Sequence, residues 1–211
     1  MNPININRKT LSEIIWKQIE GRGRGLGDLF RKLDELREEA DYNTGSLDKR
    51  DVEDLQDVVF HFGPKTVAEV GTFIGRSTMA IAHSMDVGGT IYTCDVSNDI
   101  KLPKVTGGTI VQYPRTTSTD MFKDLLERKV RVDLFYIDGR LSPMDYALMV
   151  HPDLIHPKTV FVLDDFEGVE KGVGNAMLLM QHLTGYALIY PRWNGKTAIL
   201  MPGSLLQFTA Q

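Results

Sequence analysis

A single cysteine, Cys94, in 211 residues excludes an internal disulfide and fits a reducing compartment. The five histidines are scattered, and no Cys/His cluster has zinc spacing. Basic residues are not in excess: 24 Lys and Arg stand against 28 Asp and Glu, a formal net charge of −4. That balance leaves no global attraction for nucleic acid or for an anionic membrane surface. No hydrophobic run reaches membrane-spanning length, and the opening residues MNPININRKT lack the apolar stretch of a secretory signal. The expectation is a cytoplasmic protein with neither nucleic acid nor membrane as partner.

What is present is the composition of a soluble globular protein, 42% hydrophobic and 25% charged. The length suits one domain with a full core rather than two. Residues 1–45 differ from the rest. Leu11, Ile14, Ile15 and Ile19 recur at helical spacing behind the capping-box pattern Thr10-x-x-Glu13. Gly21-Arg22-Gly23-Arg24-Gly25-Leu26-Gly27 interrupts them and reads as a flexible hinge, although its two arginines also suit phosphate or RNA. A second amphipathic helix follows with Leu29, Phe30, Leu33 and Leu36. Amphipathic helices need a surface on which to bury their apolar faces. The chain therefore divides into an N-terminal helical extension, 1–45, expected to serve as a lid or a homodimer contact, and a main domain, 46–211.

A third helix, about Lys49 to Phe62, carries Val52, Leu55, Val58, Val59 and Phe62 and stops at Gly63-Pro64. From Thr66 onward, β-rich runs ("TVAEV", "TIYTCD", "TIVQY", "VDLFYID", "TVFVLDD") alternate with helical stretches at Ser77–Ser84, Thr119–Arg128, Pro143–Val150 and about Val169–Leu183. Continuous apolar strands separated by amphipathic helices imply a parallel sheet covered on both faces. Two further strands, Tyr186–Tyr190 and Thr197–Met201, flank a loop containing Asn194-Gly195, a hairpin signal that turns the last strand antiparallel.

The stretch "VAEVGTFIGRST", residues 67–78, reads as strand, glycine turn and helix start. In a doubly wound sheet this first turn is where a ligand binds, outside the carboxyl ends of the strands. A dinucleotide fingerprint beginning at Gly71 requires glycine at positions held here by Phe73 and Arg76, and a phosphate-binding loop requires a lysine that is missing. Glu69, two residues before Gly71, repels a pyrophosphate but suits a ligand ammonium or an ordered water. S-adenosylmethionine (SAM) carries an ammonium, and its carboxylate suits the N–H groups of the loop and helix start. Asp95, ending "TIYTCD", is placed to accept ribose hydroxyls.

"EVGTFIGRST" resembles the first motif of class I SAM-dependent methyltransferases, in particular the small O-methyltransferases of the catechol and caffeoyl-CoA type. "YIDGRLSPMDYALMVHPDLIHPKTVFVLDD" resembles the fourth and fifth strand segments of related small-molecule enzymes, and the terminal hairpin fits their antiparallel last strand. The resemblance runs from about Thr44 to Met201. It implies a Rossmann-like, doubly wound, mostly parallel seven-stranded α/β sheet with an antiparallel terminal strand, preceded by N-terminal helices. It also implies methyl transfer from SAM to a small-molecule acceptor, with a hydroxyl as the expected group. Glu69, Gly71, Thr72, Gly75 and Ser77 would line the methionine end of SAM, Asp95 would bind the ribose, Val96 would pack on adenine, and Ser118 would lie on the adenine side.

Asp138 closes the fourth strand run, and Asp164 and Asp165 close the fifth. Gathered at one sheet edge, the three carboxylates suit Mg²⁺ or another divalent cation, and the matching positions hold the metal in the resembling metal-dependent enzymes. Asp138 is also the candidate catalytic group. The chain departs from the family where a histidine is replaced by Leu141, where the catechol-type lysine is absent, and where "LLxPGG" has become Leu154-Ile155-His156-Pro157-Lys158-Thr159. Arg140 stays protonated and cannot serve as base. Those departures leave two alternatives: a methyltransferase-like domain that binds SAM or a partner without turnover, and, further off, a nicotinamide-dependent oxidoreductase.

Overall fold

The computed structural model describes residues 47, 49–97, 102–166, 169–190 and 196–206. The expected extension with its glycine hinge lies outside the described residues, as do Lys101 and the hairpin-loop residues Arg192, Trp193, Asn194 and Gly195. Helix α1 (Lys49–Phe62) buries Val52, Leu55, Val58 and Val59, the three- and four-residue spacing of one helical face. It ends where the N–H of Gly63, at φ +55°, bonds the Val59 carbonyl, with Pro64 blocking continuation.

The chain then alternates: β1 (Thr66–Val70), α2 (Arg76–Ser84), β2 (Thr90–Asp95), β3 (Thr109–Pro114), α3 (Ser118–Glu127), β4 (Leu134–Ile137), α4 (Pro143–Met149), β5 (Val160–Leu163), α5 (Gly174–His182), β6 (Tyr186–Ile189) and β7 (Ala198–Pro202). The seven strands form one sheet in the order β3-β2-β1-β4-β5-β7-β6. Pairing is parallel from β3 through β5, and β7 runs antiparallel between β5 and β6. The expected parallel block with an antiparallel last strand is therefore the observed architecture. Strand order reverses between β1 and β4, and the crevice at that reversal opens at the carboxyl edge.

Alternate strand residues feed two cores, as the two-residue period requires. On one face Val67, Leu134, Tyr136, Val160 and Val162 pack under α1 and α2. On the other Ala68, Phe135, Ile137, Phe161 and Leu163 meet α3, α4 and α5. The Phe135 and Phe161 rings stack with centroids 5.0 Å apart and planes 6° from parallel, and Phe122 meets Phe135 edge-on at 5.7 Å. Side chains start the helices: Thr117 caps α3, and Ser142 with Asp145 forms a reciprocal capping box on α4, where Pro143 occupies the first turn.

One expected helix divides in two. Where the pattern predicts a continuous helix over about Val169–Leu183, the chain forms a π-helical turn at Val169–Val173 and then α5. Gly172 explains the break. A Cβ there would stand 2.8 Å from the Asp164 carbonyl oxygen and closer still to Phe166 Cα, so this turn presses onto the end of β5.

Phe135→Ala, which empties the centre of the stacked trio, is expected to lower unfolding free energy by about 3–5 kcal/mol in urea titration. A loss below about 1 kcal/mol would show that the aromatic stack is not central to the core.

Candidate functional site

The site forms where β1, β2, β4 and β5 end. Gly71, at φ +99°, turns the chain out of β1, and a Cβ on it would lie 2.5 Å from the Asp138 carbonyl oxygen. Only glycine lets the β1 turn pass this close to the end of β4. On the other side, the N–H groups of Gly71 and Thr72 both reach the Cys94 carbonyl, at 2.9 and 3.2 Å. Asp95 then fastens the turn: its Oδ2 accepts the N–H of Phe73 at 2.7 Å, holding that residue at φ +43°. Its Oδ1 accepts from the N–H and hydroxyl of Ser97. Val96, next to it, is 67% exposed, an open apolar shelf. Ser118 opens α3 at the same edge and is nearly buried.

Glu69 is placed differently from the expectation. It is fully buried, and its two carboxylate oxygens accept the hydroxyls of Ser77 and Thr78, each at 2.5 Å. The group braces the first turn of α2 from below instead of facing a ligand. Ser77 is committed to that brace, and the Thr72 hydroxyl pairs with Thr93 at 2.6 Å. Gly75, at φ +83°, precedes α2 without a side-chain cap, and α2 has no acidic residue in its first turn. The Leu102 side chain occupies the space beside Gly75 that a Cβ would need. What the turn offers a ligand is therefore backbone and a helix N-terminus, more than the hydroxyls of Thr72 and Ser77.

The three aspartates expected to gather do not all meet. Strands β4 and β5 each stop one residue short of them, at Ile137 and Leu163. Asp165 adopts φ +49°, a left-handed turn that aspartate tolerates. Its side chain and that of Asp138 converge on one cation, the Lys171 ammonium, whose Nζ lies 2.7 Å from Asp165 Oδ2 and 3.1 Å from Asp138 Oδ1. Asp164 is instead buried, 5% exposed, and its Oδ1 has no hydrogen-bond partner among the described residues. A divalent cation does not fit this donor set, because an ammonium already joins two of the carboxylates and the third has turned inward. Among the described residues, no group of three or more His, Cys, Asp or Glu side chains is arranged to hold a metal.

Burial governs the charge states. Desolvation raises Glu69 to about 7 against the opposing bonds from Ser77 and Thr78. Asp164 rises to about 8, through burial and then the charges of Asp138 and Asp165. Asp138 rises only to about 6, because Lys171 offsets its burial. Burial alone would lower Lys171, but its bonds and charge interactions with Asp165 and Asp138 outweigh burial and leave it raised.

Two supporting groups had no sequence signature. Lys171 comes from the π-turn, six residues beyond Asp165, and Gly172 beside it is the signal that marks the distortion. Asn175 is buried on α5, donates to the Gly139 carbonyl at 3.1 Å and accepts the Tyr146 hydroxyl at 2.7 Å, fixing the segment after Asp138. The histidines stand elsewhere. His156 pairs with Asp133, which caps the Lys65 and Thr66 N–H groups at the opposite sheet edge, and His151 pairs with Asp153 beyond α4.

No protein-family model matches the chain, and no curated protein sequence matches it either. Solved structures do resemble it. An O-methyltransferase from Bacillus cereus in complex with SAH matches with a TM-score of 0.64 and 14% identity, covering 92% of this chain and 99% of that one. The O-methyltransferase TomG from Streptomyces achromogenes, involved in tomaymycin synthesis and solved with SAM, matches at 0.58 and 12%, over 94% and 100%. A methyltransferase from Geobacter sulfurreducens matches at 0.60 and 12%, over 96% and 98%. The fold is the one these solved methyltransferases share.

Native Glu69 keeps its proton up to about pH 7, whereas an unfolded glutamate releases it near 4.5. Between those values the native state binds more protons, so its contribution to stability falls as pH rises. At about 1.4 kcal/mol per pH unit, Glu69 accounts for about 3 kcal/mol over that window. Thermal melting of Glu69→Gln should therefore show a shallower decline from pH 5 to 8, and a higher midpoint than the parent at pH 8. Parallel curves would refute a buried, partly protonated Glu69.

Proposed function

We propose that this chain is a SAM-dependent methyltransferase acting on a hydroxyl of a small-molecule acceptor. The observation that carries the reading is the meeting, at the point where strand order reverses, of a glycine turn with Asp95 on one side and Asp138 on the other. The neighbours of this fold solved with SAH or SAM support it. In this reading, Gly71 and Gly75 let the SAM methionine end approach backbone. The uncapped first turn of α2 receives the SAM carboxylate, where the helix dipole favours negative charge. Glu69 acts beneath that turn through Ser77 and Thr78, and Thr72 through Thr93. Asp95 accepts the ribose hydroxyls, Val96 supports the adenine face and Ser118 borders it.

Methyl transfer is an in-line displacement. The acceptor oxygen bonds the methyl carbon as the carbon–sulfur bond breaks, sulfur keeps the electron pair, and the hydroxyl proton must leave. In this reading Asp138 takes that proton, and its raised pKa of about 6, which brings it nearer the working range of a base, supports the role. Holding oxygen, methyl and sulfur in line accounts for much of the acceleration in such reactions. A divalent cation has no part in this mechanism. The extension, 1–45, completes the proposal as a lid or a homodimer contact. No described helix is long and apolar enough to cross a membrane, and a cytoplasmic setting completes the reading.

Isothermal titration with SAM and, separately, with NAD tests the assignment: SAM should bind and NAD should not, and NAD binding without SAM binding would reject it. Asp95→Ala should weaken SAM by about 1–3 kcal/mol, about 5- to 150-fold, through lost charged hydrogen bonds. An unchanged affinity would remove the ribose role.

A further inference from the structure

The surroundings of Lys171 carry more than a salt bridge. Its ammonium has three N–H donors, and Asp138 and Asp165 take two. The side chain is 36% exposed, and those of Asp138 and Asp165 are open to solvent at 24% and 42%, so one side of the cluster faces outward. The lysine does not rest there by chance of a long flexible stem. It is carried by a π-helical turn that Gly172 seats against the Asp164–Phe166 segment, with no room for even one added carbon. Asp165 meets it through a left-handed backbone turn. Three separate backbone features thus converge on one ammonium: the end of β4, the turn after β5, and the π-turn.

We propose that Lys171 is a built-in cation that stands in place of a divalent metal between Asp138 and Asp165 and offers its third N–H to the oxygen of the methyl acceptor. The acceptor oxygen then meets a fixed positive donor next to Asp138, the group that takes its proton. The ligand class this recognises is a hydroxylated molecule whose reacting oxygen gains negative charge during transfer. The inference rests on the methyltransferase reading for the acceptor, but not for the cation site itself.

The test is Mn²⁺ titration of the full chain, followed by the electron paramagnetic resonance of free Mn²⁺, with SAM affinity measured by calorimetry on the same samples. The parent protein should bind no Mn²⁺ up to about 1 mM, the weak limit for oxygen-ligand sites. Lys171→Ala should expose the carboxylates and bind Mn²⁺ at least about tenfold more tightly, while Lys171→Arg, which keeps the charge, should not. SAM binding should persist in all three. Sub-millimolar Mn²⁺ binding by the parent protein overturns the proposal, and so does a folded Lys171→Ala that gains none. The parent titration decides even where a variant fails to fold. Absence of SAM binding with the expected Mn²⁺ pattern defeats the methyltransferase reading and leaves the cation site standing; the reverse result does the opposite.

Discussion

The close passage of Gly71 over the Asp138 carbonyl is the constraint on which the rest of the site depends. A parallel sheet whose strand order reverses leaves a crevice between the two diverging connections, and its width is set by how near the two strand ends lie. Here the distance excludes even a methyl group. The Asp138 N–H adds a bond to the Val70 carbonyl at 2.9 Å, so β1 and β4 stay paired to their last residues. Because the crevice is closed at its floor, everything a ligand touches must come from what rises on either flank. On one flank Asp95 holds the Phe73 backbone, and on the other Lys171 holds Asp138.

Beneath this floor the polar groups are fastened to each other. Glu69 stands between Thr93 and Tyr136 in the sheet register, on the face covered by α1 and α2. Burying an ionised carboxylate there without partners would be strongly unfavourable, and two hydroxyl donors together with a raised pKa resolve the conflict. The reward for α2 is a first turn tied to the sheet by side chains that a helix terminus would otherwise leave in water. A capping aspartate at position 75 would have fastened the helix too, but its charge would have filled the N-terminus proposed for the SAM carboxylate. Bracing from below keeps that end open.

The architecture was readable because it rests on periodicity. Apolar runs such as "LFYI" and "VFVL" are buried on both faces, and the expected antiparallel last strand is the pairing of β7 with β5 and β6. The site was only partly readable, for a definite reason. Gly71, Asp95 and Asp138 sit at positions that topology brings to one edge, so their types and order are enough to group them as candidates. Whether a carboxylate faces outward or inward depends on the local backbone path, which residue type does not reveal. Asp164 and Asp165 are adjacent and identical in type, yet a left-handed turn at Asp165 sends them to different environments. Lys171 was hidden for a related reason. A regular helix through Val169–Leu183 gives no cause to bring that lysine to Asp138, and only the tight seat of Gly172 distorts the backbone into the turn that does. The place of Glu69 before the glycine marks it as a candidate, but the hydroxyls of Ser77 and Thr78 that occupy it lie on the next helix, eight and nine residues away.

Charge balance shows why a lysine is a workable occupant of this cluster. Three ionised carboxylates around a divalent cation would carry a net charge of −1. Burial and then the charges of Asp138 and Asp165 push Asp164 toward its protonated form, so the inward carboxyl lightens the negative charge that a single ammonium must balance. An inward Asp164 and a monovalent cation therefore suit one another. Neither is favourable alone: three outward carboxylates around a lysine would leave excess negative charge, and two around a divalent cation would leave no net charge and one ligand fewer. The two also differ in kind. A metal can leave and exchange, and it polarises oxygen as a Lewis acid, whereas an ammonium is held by the covalent chain and acts only through its charge and its N–H donors. A site built on the lysine gives up some polarising power and gains a cation whose position is set by folding. The packing of Gly172 against the end of β5 then matters for chemistry as much as for stability, since it sets where that charge stands.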